Sequence, residues 1–342
     1  MAKRLGKGTV ELEKKPYIIS NAAIVGKKEG QGPLGKEFDE IYEDSTLGED
    51  TWEKAESQLL KMTVKKALSK ASLNPEDIDG IFSGDLLSQC IGSAFALRDF
   101  GIPFCGLYGA CSTMALSTLT ASLAIETGGF STTVAATSSH FCSAEKQFRY
   151  PLEYGGQRPP TAQWTVTGSG AVVLDGSSKG KNPYIDKIHL GKIRDYNITD
   201  GNNMGAAMAP AAAETICTFL SDTHTSPSDY DIILTGDLGF VGSGLLLELC
   251  MREYNVDISA VHNDCGMMIY DREKQDVHSG GSGCGCSASV LCSHILNSMK
   301  EGKYSNIIFM ATGALMSTVS SKEGESIPGI AHLVNIKRGE RK

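Results

Sequence analysis

The chain has 342 residues, of which 41% are hydrophobic and 38 are glycine, and its formal net charge is −8 at neutral pH. That length suits two halves of ordinary domain size, and the acidic balance argues against nucleic acid or anionic lipid as a direct partner. No stretch approaches the roughly 18 apolar residues needed to cross a bilayer, and the basic start at Lys3, Arg4 and Lys7 lacks the apolar core of a secretory signal.

In chain order, the run at 17–25 (YIISNAAIV) predicts a buried strand, and 26–35 a polar loop rich in Gly. The acidic segment 38–51 leads to a helix that Thr51 can cap, its hydroxyl accepting from an otherwise orphan amide. Over 52–71, Ala55, Leu59, Met62, Val64, Ala67 and Leu68 recur with near-helical spacing. Leu73-Asn74-Pro75 ends that helix. The strand near Ile81, a helix over 91–100 and a strand over 104–108 follow.

This last strand delivers Gly109-Ala110-Cys111-Ser112-Thr113, a small-residue turn opening the apolar helical run 114–125. A cysteine at the first turn of a helix faces unpaired amides and the positive end of the helix dipole, which favour its thiolate. The turn therefore reads as a nucleophile or anion site. A small cysteine packed under a helix is the alternative. A strand over 133–137 and Ser138-Ser139-His140 come next, then a polar, aromatic segment, 145–165, too long for a plain connection. It reads as a lid or a subunit contact. The strand over 167–174 and a boundary over 175–182 complete this half.

The second half repeats the first. A strand over 184–190 and an Ala-rich helix over 206–220 precede Tyr230-Asp231-Ile232-Ile233-Leu234-Thr235-Gly236-Asp237-Leu238, which echoes 78–86. Gly283-Cys284-Gly285-Cys286-Ser287 echoes the Cys111 turn and leads into the helical run 290–299 and a strand over 307–312. The expected division is 1–178 and 179–342. The ten cysteines sit mostly in apolar or Gly-rich runs and read as reduced thiols.

Several polar residues qualify as ligands on position alone. His140 ends a strand where open α/β sheets place ligand groups, though a histidine satisfied by a backbone carbonyl looks the same in sequence. Asp85 also follows a strand, but an Asp in a turn can merely bond its own backbone. Its counterpart Asp237 occupies the matching place, which favours a structural role for both. His262, Cys265, Cys284 and Cys286 include zinc-ligand types, but C-x-C is tighter than the usual spacing, and small residues filling a helix junction are the stronger reading. His189, His224 and His294 read as surface or helix-face residues.

A duplicated α/β half, a cysteine at a strand-to-helix elbow, the strand Gly168-Ser169-Gly170-Ala171-Val172-Val173-Leu174 and a late Gly-rich turn together resemble the thiolase superfamily, including the β-ketoacyl-carrier-protein synthases. More narrowly, Gly30-Gln31-Gly32-Pro33-Leu34-Gly35, Gly84-Asp85-Leu86-Leu87, the run 106–113, Ala136-Thr137-Ser138-Ser139-His140, Gln147-Phe148-Arg149-Tyr150-Pro151, His262-Asn263-Asp264-Cys265-Gly266 and Glu325-Ser326-Ile327-Pro328 resemble the stage V sporulation protein AD family. The resemblance implies a thiolase-like α/β fold, five layers αβαβα, with two central helices starting near Cys111 and Cys286. It also implies a homodimer, with the strand after the Cys111 helix and the 145–165 segment near the contact.

In condensing enzymes of the superfamily a cysteine takes the acyl group, and His with His or His with Asn assist it. Cys111 matches the nucleophile and His262 the first partner, so both are vestigial catalytic candidates. Cys284 stands where the second partner belongs, and a thiol is a poor donor to an oxyanion. The resemblance implies binding of dipicolinic acid, alone or with calcium, and its uptake into the developing spore with membrane proteins of the same system. The chain would then lie peripheral to the inner spore membrane, on the cytoplasmic face, and no cofactor is implied. The alternative is an acyltransferase using acyl-coenzyme A through Cys111. Asp85, Cys111, Ser112, His140, His262, Gly283 and Cys284 are the expected ligand-binding residues. One carboxylate of dipicolinate is expected near the 109–112 turn and the other near 283–286, held by unpaired amides.

Overall fold

Two sheets of like design form the frame. The computed structural model describes residues 2–148, 157–320 and 323–339. The first half supplies β1 (Tyr17–Gly26), β2 (Gly80–Gly84), β3 (Phe104–Gly106), β4 (Thr132–Ser139) and β5 (Gly168–Asp175). The second supplies β6 (Tyr184–His189), β7 (Ile232–Thr235), β8 (His262–Asp264), β9 (Asn306–Ala314) and β10 (Gly329–Lys337). Their orders are β1-β5-β4-β2-β3 and β6-β10-β9-β7-β8. In both, the first two pairings are antiparallel and the last two parallel. The sheets meet where Tyr17 pairs with Tyr184, their ring centroids 5.3 Å apart.

The longer helices are α1 (Trp52–Ala71), α2 (Ile91–Leu97), α3 (Thr113–Glu126), α4 (Phe141–Phe148), α5 (Met204–Thr223), α6 (Gly239–Tyr254) and α7 (Cys284–Val290), with single turns at Lys27–Gly30 and Cys265–Met268. A π turn, Leu291–Ile295, joins α7 to α8 (Leu296–Glu301). Helix α1 packs on β1, β5 and β4 and carries α2, while α5 packs on β10 and β9 and carries α6. Between the sheets, α3 touches β4 and β2 on one side and β10 and β9 on the other, and α7 lies on β5 and β4. The five αβαβα layers are therefore present.

Sequence chemistry explains the central layer. Helix α3 has no charged residue before Glu126, as a helix covered on both sides requires. Its hydroxyls return to the preceding turn, Thr118 to the Met114 carbonyl at 2.9 Å and Ser122 to Thr118 at 2.7 Å, so few polar atoms need an outside partner. Helix α7 approaches β5 closely because Gly170 has no side chain. A Cβ there would lie 2.4 Å from the Ala288 carbonyl oxygen.

Several expectations shift in detail. Thr51 does cap α1, accepting from the Lys54 amide at 3.3 Å. The second central helix begins at Cys284, so Cys286 lies within it. Cys111 stands just before α3, whose N-cap is Ser112. Strand β4, expected near a subunit contact, pairs on both sides and is interior; the free edge is β3. The 9–11 strand pairs with β6 and so crosses to the second half. His189 is buried, its Nδ1 2.7 Å from the Thr9 hydroxyl. Of the expected lid or contact segment, residues 149–156 lie outside the described residues, as do Arg149, Tyr150 and Pro151 of the resembling motif.

Candidate functional site

The Cys111 elbow is built by a left-handed residue. Ala110 has φ +49°, which turns the chain sharply between β3 and α3. The turn closes on itself: the Ser112 hydroxyl donates to the Gly109 carbonyl and the Thr113 hydroxyl to the Ala110 carbonyl, each at 2.6 Å. The Ser112 amide donates to Gly109 as well, at 3.0 Å. Ser112 is thus a structural part of the elbow. Cys111 is left buried, packed with Leu86, Ala144 and Cys284.

The carboxyl whose charge acts on Cys111 most is that of Asp237. That carboxyl accepts from the Gly283 amide at 2.8 Å and the Thr312 hydroxyl at 2.9 Å. Burial, and then the Asp237 charge, push the Cys111 thiol well above its usual pKa. Burial raises Asp237 to about 7. The expected thiolate is therefore disfavoured: burial first, and then the Asp237 charge, oppose it more than the helix terminus favours it.

Asp237 is the residue that sequence reasoning missed, although the echo between the halves pointed to it. Asp85 behaves as its turn suggested, accepting from the Leu87 amide at 2.9 Å and from the Ser93 amide and hydroxyl at 2.6 and 2.7 Å. In the second half that duty passes to Asp264, which accepts from the Leu238 and Gly239 amides, each at 2.9 Å. Asp237 is thereby released to face the Cys111 elbow. The two aspartates are equivalent in sequence and different in role.

The cavity beside Cys111 is small, about 40 Å³. A buried water needs roughly 10–15 Å³ on this measure, so it has room for only a few waters. Leu86, Tyr108, Phe148, Met204 and Met316 are among its walls. Among the described residues lining it, none is a histidine, asparagine, lysine or arginine. Glu56, buried on α1 and accepting from the Ser143 hydroxyl, adds a further acid whose pKa burial and Asp85 raise.

The other expected residues lie elsewhere or are already engaged. His262 is not in the cavity wall; its Nε2 is 3.0 Å from the Thr235 hydroxyl on the neighbouring strand, and burial lowers its pKa to about 4. His140 accepts from the Cys142 amide at Nδ1 (3.1 Å) and donates from Nε2 to the Ser45 carbonyl (2.8 Å), while stacking on Trp52. It lines a different cleft, across α4. The Cys284 thiol donates to the Ser138 carbonyl at 2.9 Å. Gly283, at φ +97°, gives its amide to Asp237, and the Gly285 amide goes to the Ser139 hydroxyl at 3.1 Å. The unpaired amides expected at this second turn are taken by the protein itself. Among the described residues, no three of His, Cys, Asp and Glu form a group that could hold a metal ion, so His262, Cys265, Cys284 and Cys286 do not assemble as a zinc site.

Comparison with known proteins agrees with the architecture. OleA from Xanthomonas campestris, bound to cerulenin, superposes with a TM-score of 0.60 at 13% identity, over 98% of this chain and 100% of that one. Human mitochondrial 3-ketoacyl-CoA thiolase in complex with CoA gives 0.56 at 13% identity, over 96% and 99%. The 3-oxoacyl-[acyl-carrier-protein] synthase III of Aquifex aeolicus gives 0.53 at 14%, over 93% and 99%. At such identities the likeness shows the fold alone. The stage V sporulation protein AD of Bacillus subtilis is 44% identical over 337 residues, 98% of either chain. Residues 6–337 match the sequence pattern of the stage V sporulation protein AD (SpoVAD) family. With a thiolase-like fold spanning nearly its whole length, the chain belongs to the stage V sporulation protein AD family.

Proposed function

We propose that this protein binds dipicolinic acid without transforming it, and supports its uptake into the developing spore. The observation that supports the non-catalytic part is a buried Cys111 whose cavity wall holds no histidine, asparagine, lysine or arginine among the described residues, with His262 bonded to Thr235 and Cys284 to a carbonyl; burial also keeps the Cys111 pKa well above its usual value. An acyl-transfer site needs a nucleophile that loses its proton and donors aimed at the developing oxyanion. Losing one such donor typically costs on the order of 100- to 1,000-fold in rate, and here His262 does not line the cavity and Cys284 is a thiol already bonded to a carbonyl. The dipicolinate part rests on family membership and on the sporulation protein it resembles.

No helix among the described residues is long and apolar enough to cross a membrane. Contact with the membrane would therefore pass through membrane proteins of the same uptake system, from the cytoplasmic face. A homodimer fits the free edge at β3, where Phe104, Tyr108, Ile91 and Phe95 are exposed large apolar side chains. An unpaired edge with such residues is a template for a second strand. Titration calorimetry with dipicolinate tests the binding reading: saturable heat at one ligand class per chain supports it, and no binding at millimolar ligand refutes it.

A further inference from the structure

The cavity beside Cys111, at about 40 Å³, has room for only a few waters, and a pyridine ring with two carboxylates is larger than that. Part of its wall has to move before such a ligand can lie against the elbow. The wall divides into two kinds of residue. Small buried residues around Cys111, among them Ala110 and Ala314, form a fixed floor. Around the floor stand Tyr108, Phe148, Met204 and Met316, large side chains that are half-buried or exposed. Two of these come from each half, so the mouth lies on the seam between the halves.

The methionines are the parts best able to move. Their backbones are tied down: Met204 opens α5 behind Asn203, whose side chain accepts from the Ala206 amide at 3.3 Å, and the Met316 amide donates to the Ala314 carbonyl at 2.9 Å. Their side chains carry no such ties, because a thioether is only a weak acceptor and Met is unbranched, with three rotatable bonds that let it refill irregular gaps. Both pack against the edge of the apolar cluster under α5 and α6 and are only partly buried there. A Cβ on Gly201 would lie 3.3 Å from the Met316 sulfur, so this side chain reaches the loop that leads into α5. Turning the two outward enlarges the cavity toward solvent and leaves the floor and every backbone hydrogen bond in place. The space gained suits a flat ring with polar edges. Tyr108 offers an aromatic face and a hydroxyl, which burial pushes up to about 12 and so keeps as a donor, and Thr165 and Ser282, paired in a two-stranded ladder, bring two more hydroxyls to the same wall.

We propose that Met204 and Met316 set the size of the pocket at the Cys111 elbow and admit a planar aromatic dicarboxylate by turning away from it. The proposal rests on the dipicolinate reading above and names the residues that decide which ring fits. Calorimetry of the full chain tests it with two opposite changes. Met204→Trp and Met316→Trp, each made alone, place a bulky ring where the space has to open, and each should weaken dipicolinate binding by about 10-fold or more. The double variant Met204→Ala, Met316→Ala leaves the space open. It should bind dipicolinate within about 10-fold of the parent, and should also take a dipicolinate bearing a phenyl group at ring carbon 4, which the parent should refuse at millimolar concentration. A merely structural role for the methionines would weaken both ligands together and would not shift this preference. A thermal melt confirms that each variant is folded. If the folded Trp variants bind dipicolinate like the parent and the Ala pair still refuses the larger ring, the assignment of Met204 and Met316 is overturned and the dipicolinate reading stands. If the parent itself binds no dipicolinate, that reading falls and this proposal falls with it.

Discussion

Replacing Asp237 by Asn should remove a large part of the pH dependence of stability. Burial raises this carboxyl from 3.8 to about 7. The folded state therefore holds a proton that the unfolded state has released. For a raised acid the sign is fixed: its contribution is fully present below the unfolded value near 4, and is lost as pH rises through about 7. At about 1.4 kcal/mol for each tenfold change in proton concentration, the parent should lose roughly 3 kcal/mol between pH 5 and pH 8 through this group. Asn suits the same space. Its oxygen can take the Gly283 amide now given to Asp237 at 2.8 Å, while its NH₂ meets the Thr312 hydroxyl, which turns to accept. Urea unfolding of parent and variant at intervals from pH 5 to 8 gives the test. Other groups titrate in both proteins, so the difference curve isolates Asp237, and it should favour the variant progressively as pH rises. A difference constant to within about 0.5 kcal/mol, the usual scatter of neutral substitutions, would refute the assignment of a protonated carboxyl at the elbow.

Cys111→Ala should leave the melting temperature close to that of the parent, whereas Cys111→Asp should cost roughly 3–5 kcal/mol, because it places a second buried carboxylate beside Asp237; differential scanning of both variants decides it. Gly283→Val should fail to give stable protein, since the backbone there has φ +97° and a Cβ would lie 2.8 Å from the Ser139 hydroxyl; a soluble variant melting within a few degrees of the parent would contradict that. Phe104→Arg on the exposed β3 edge should shift a dimer toward monomer in light scattering at micromolar concentration, and a parent that is already monomeric would remove the dimer proposal. With a net charge of −8 and no spanning helix among the described residues, the protein should stay in the supernatant with protein-free anionic vesicles; pelleting with them would contradict contact through membrane proteins.

The duplication was legible because each half repeats strand, small-residue turn and apolar helix at matching intervals, and those intervals are set by local chemistry. Residues 114–125, without a charge, told of a helix covered on both sides. What stayed hidden depended on contacts between the halves. Asp85 and Asp237 stand in equivalent turns, and nothing in either turn says that Asp264 relieves one of them of its structural duty while Ser93 binds the other. The amides of the Gly283 turn looked free for a ligand, because their acceptors, Asp237 and Ser139, lie 46 and 146 residues away in sequence. His140 was ambiguous at the outset, and the Ser45 carbonyl, from a loop with no motif, resolves it. The cleft that His140 lines is assembled from positions within 26–31, 43–45, 140–142, 164–167 and 274–275, too scattered to form a pattern in a single sequence.

The most direct test of the central claim, that the elbow is chemically silent, is intact mass measurement after incubation of the full chain with acetyl- and malonyl-coenzyme A at neutral pH. A buried thiol whose pKa is raised well above its usual value, with no histidine or asparagine among the described residues of its cavity wall, should carry no acyl group, and the mass should equal that of untreated protein. A stable acyl adduct that maps to Cys111 and disappears in Cys111→Ala would contradict the account and return the protein to the acyltransferases.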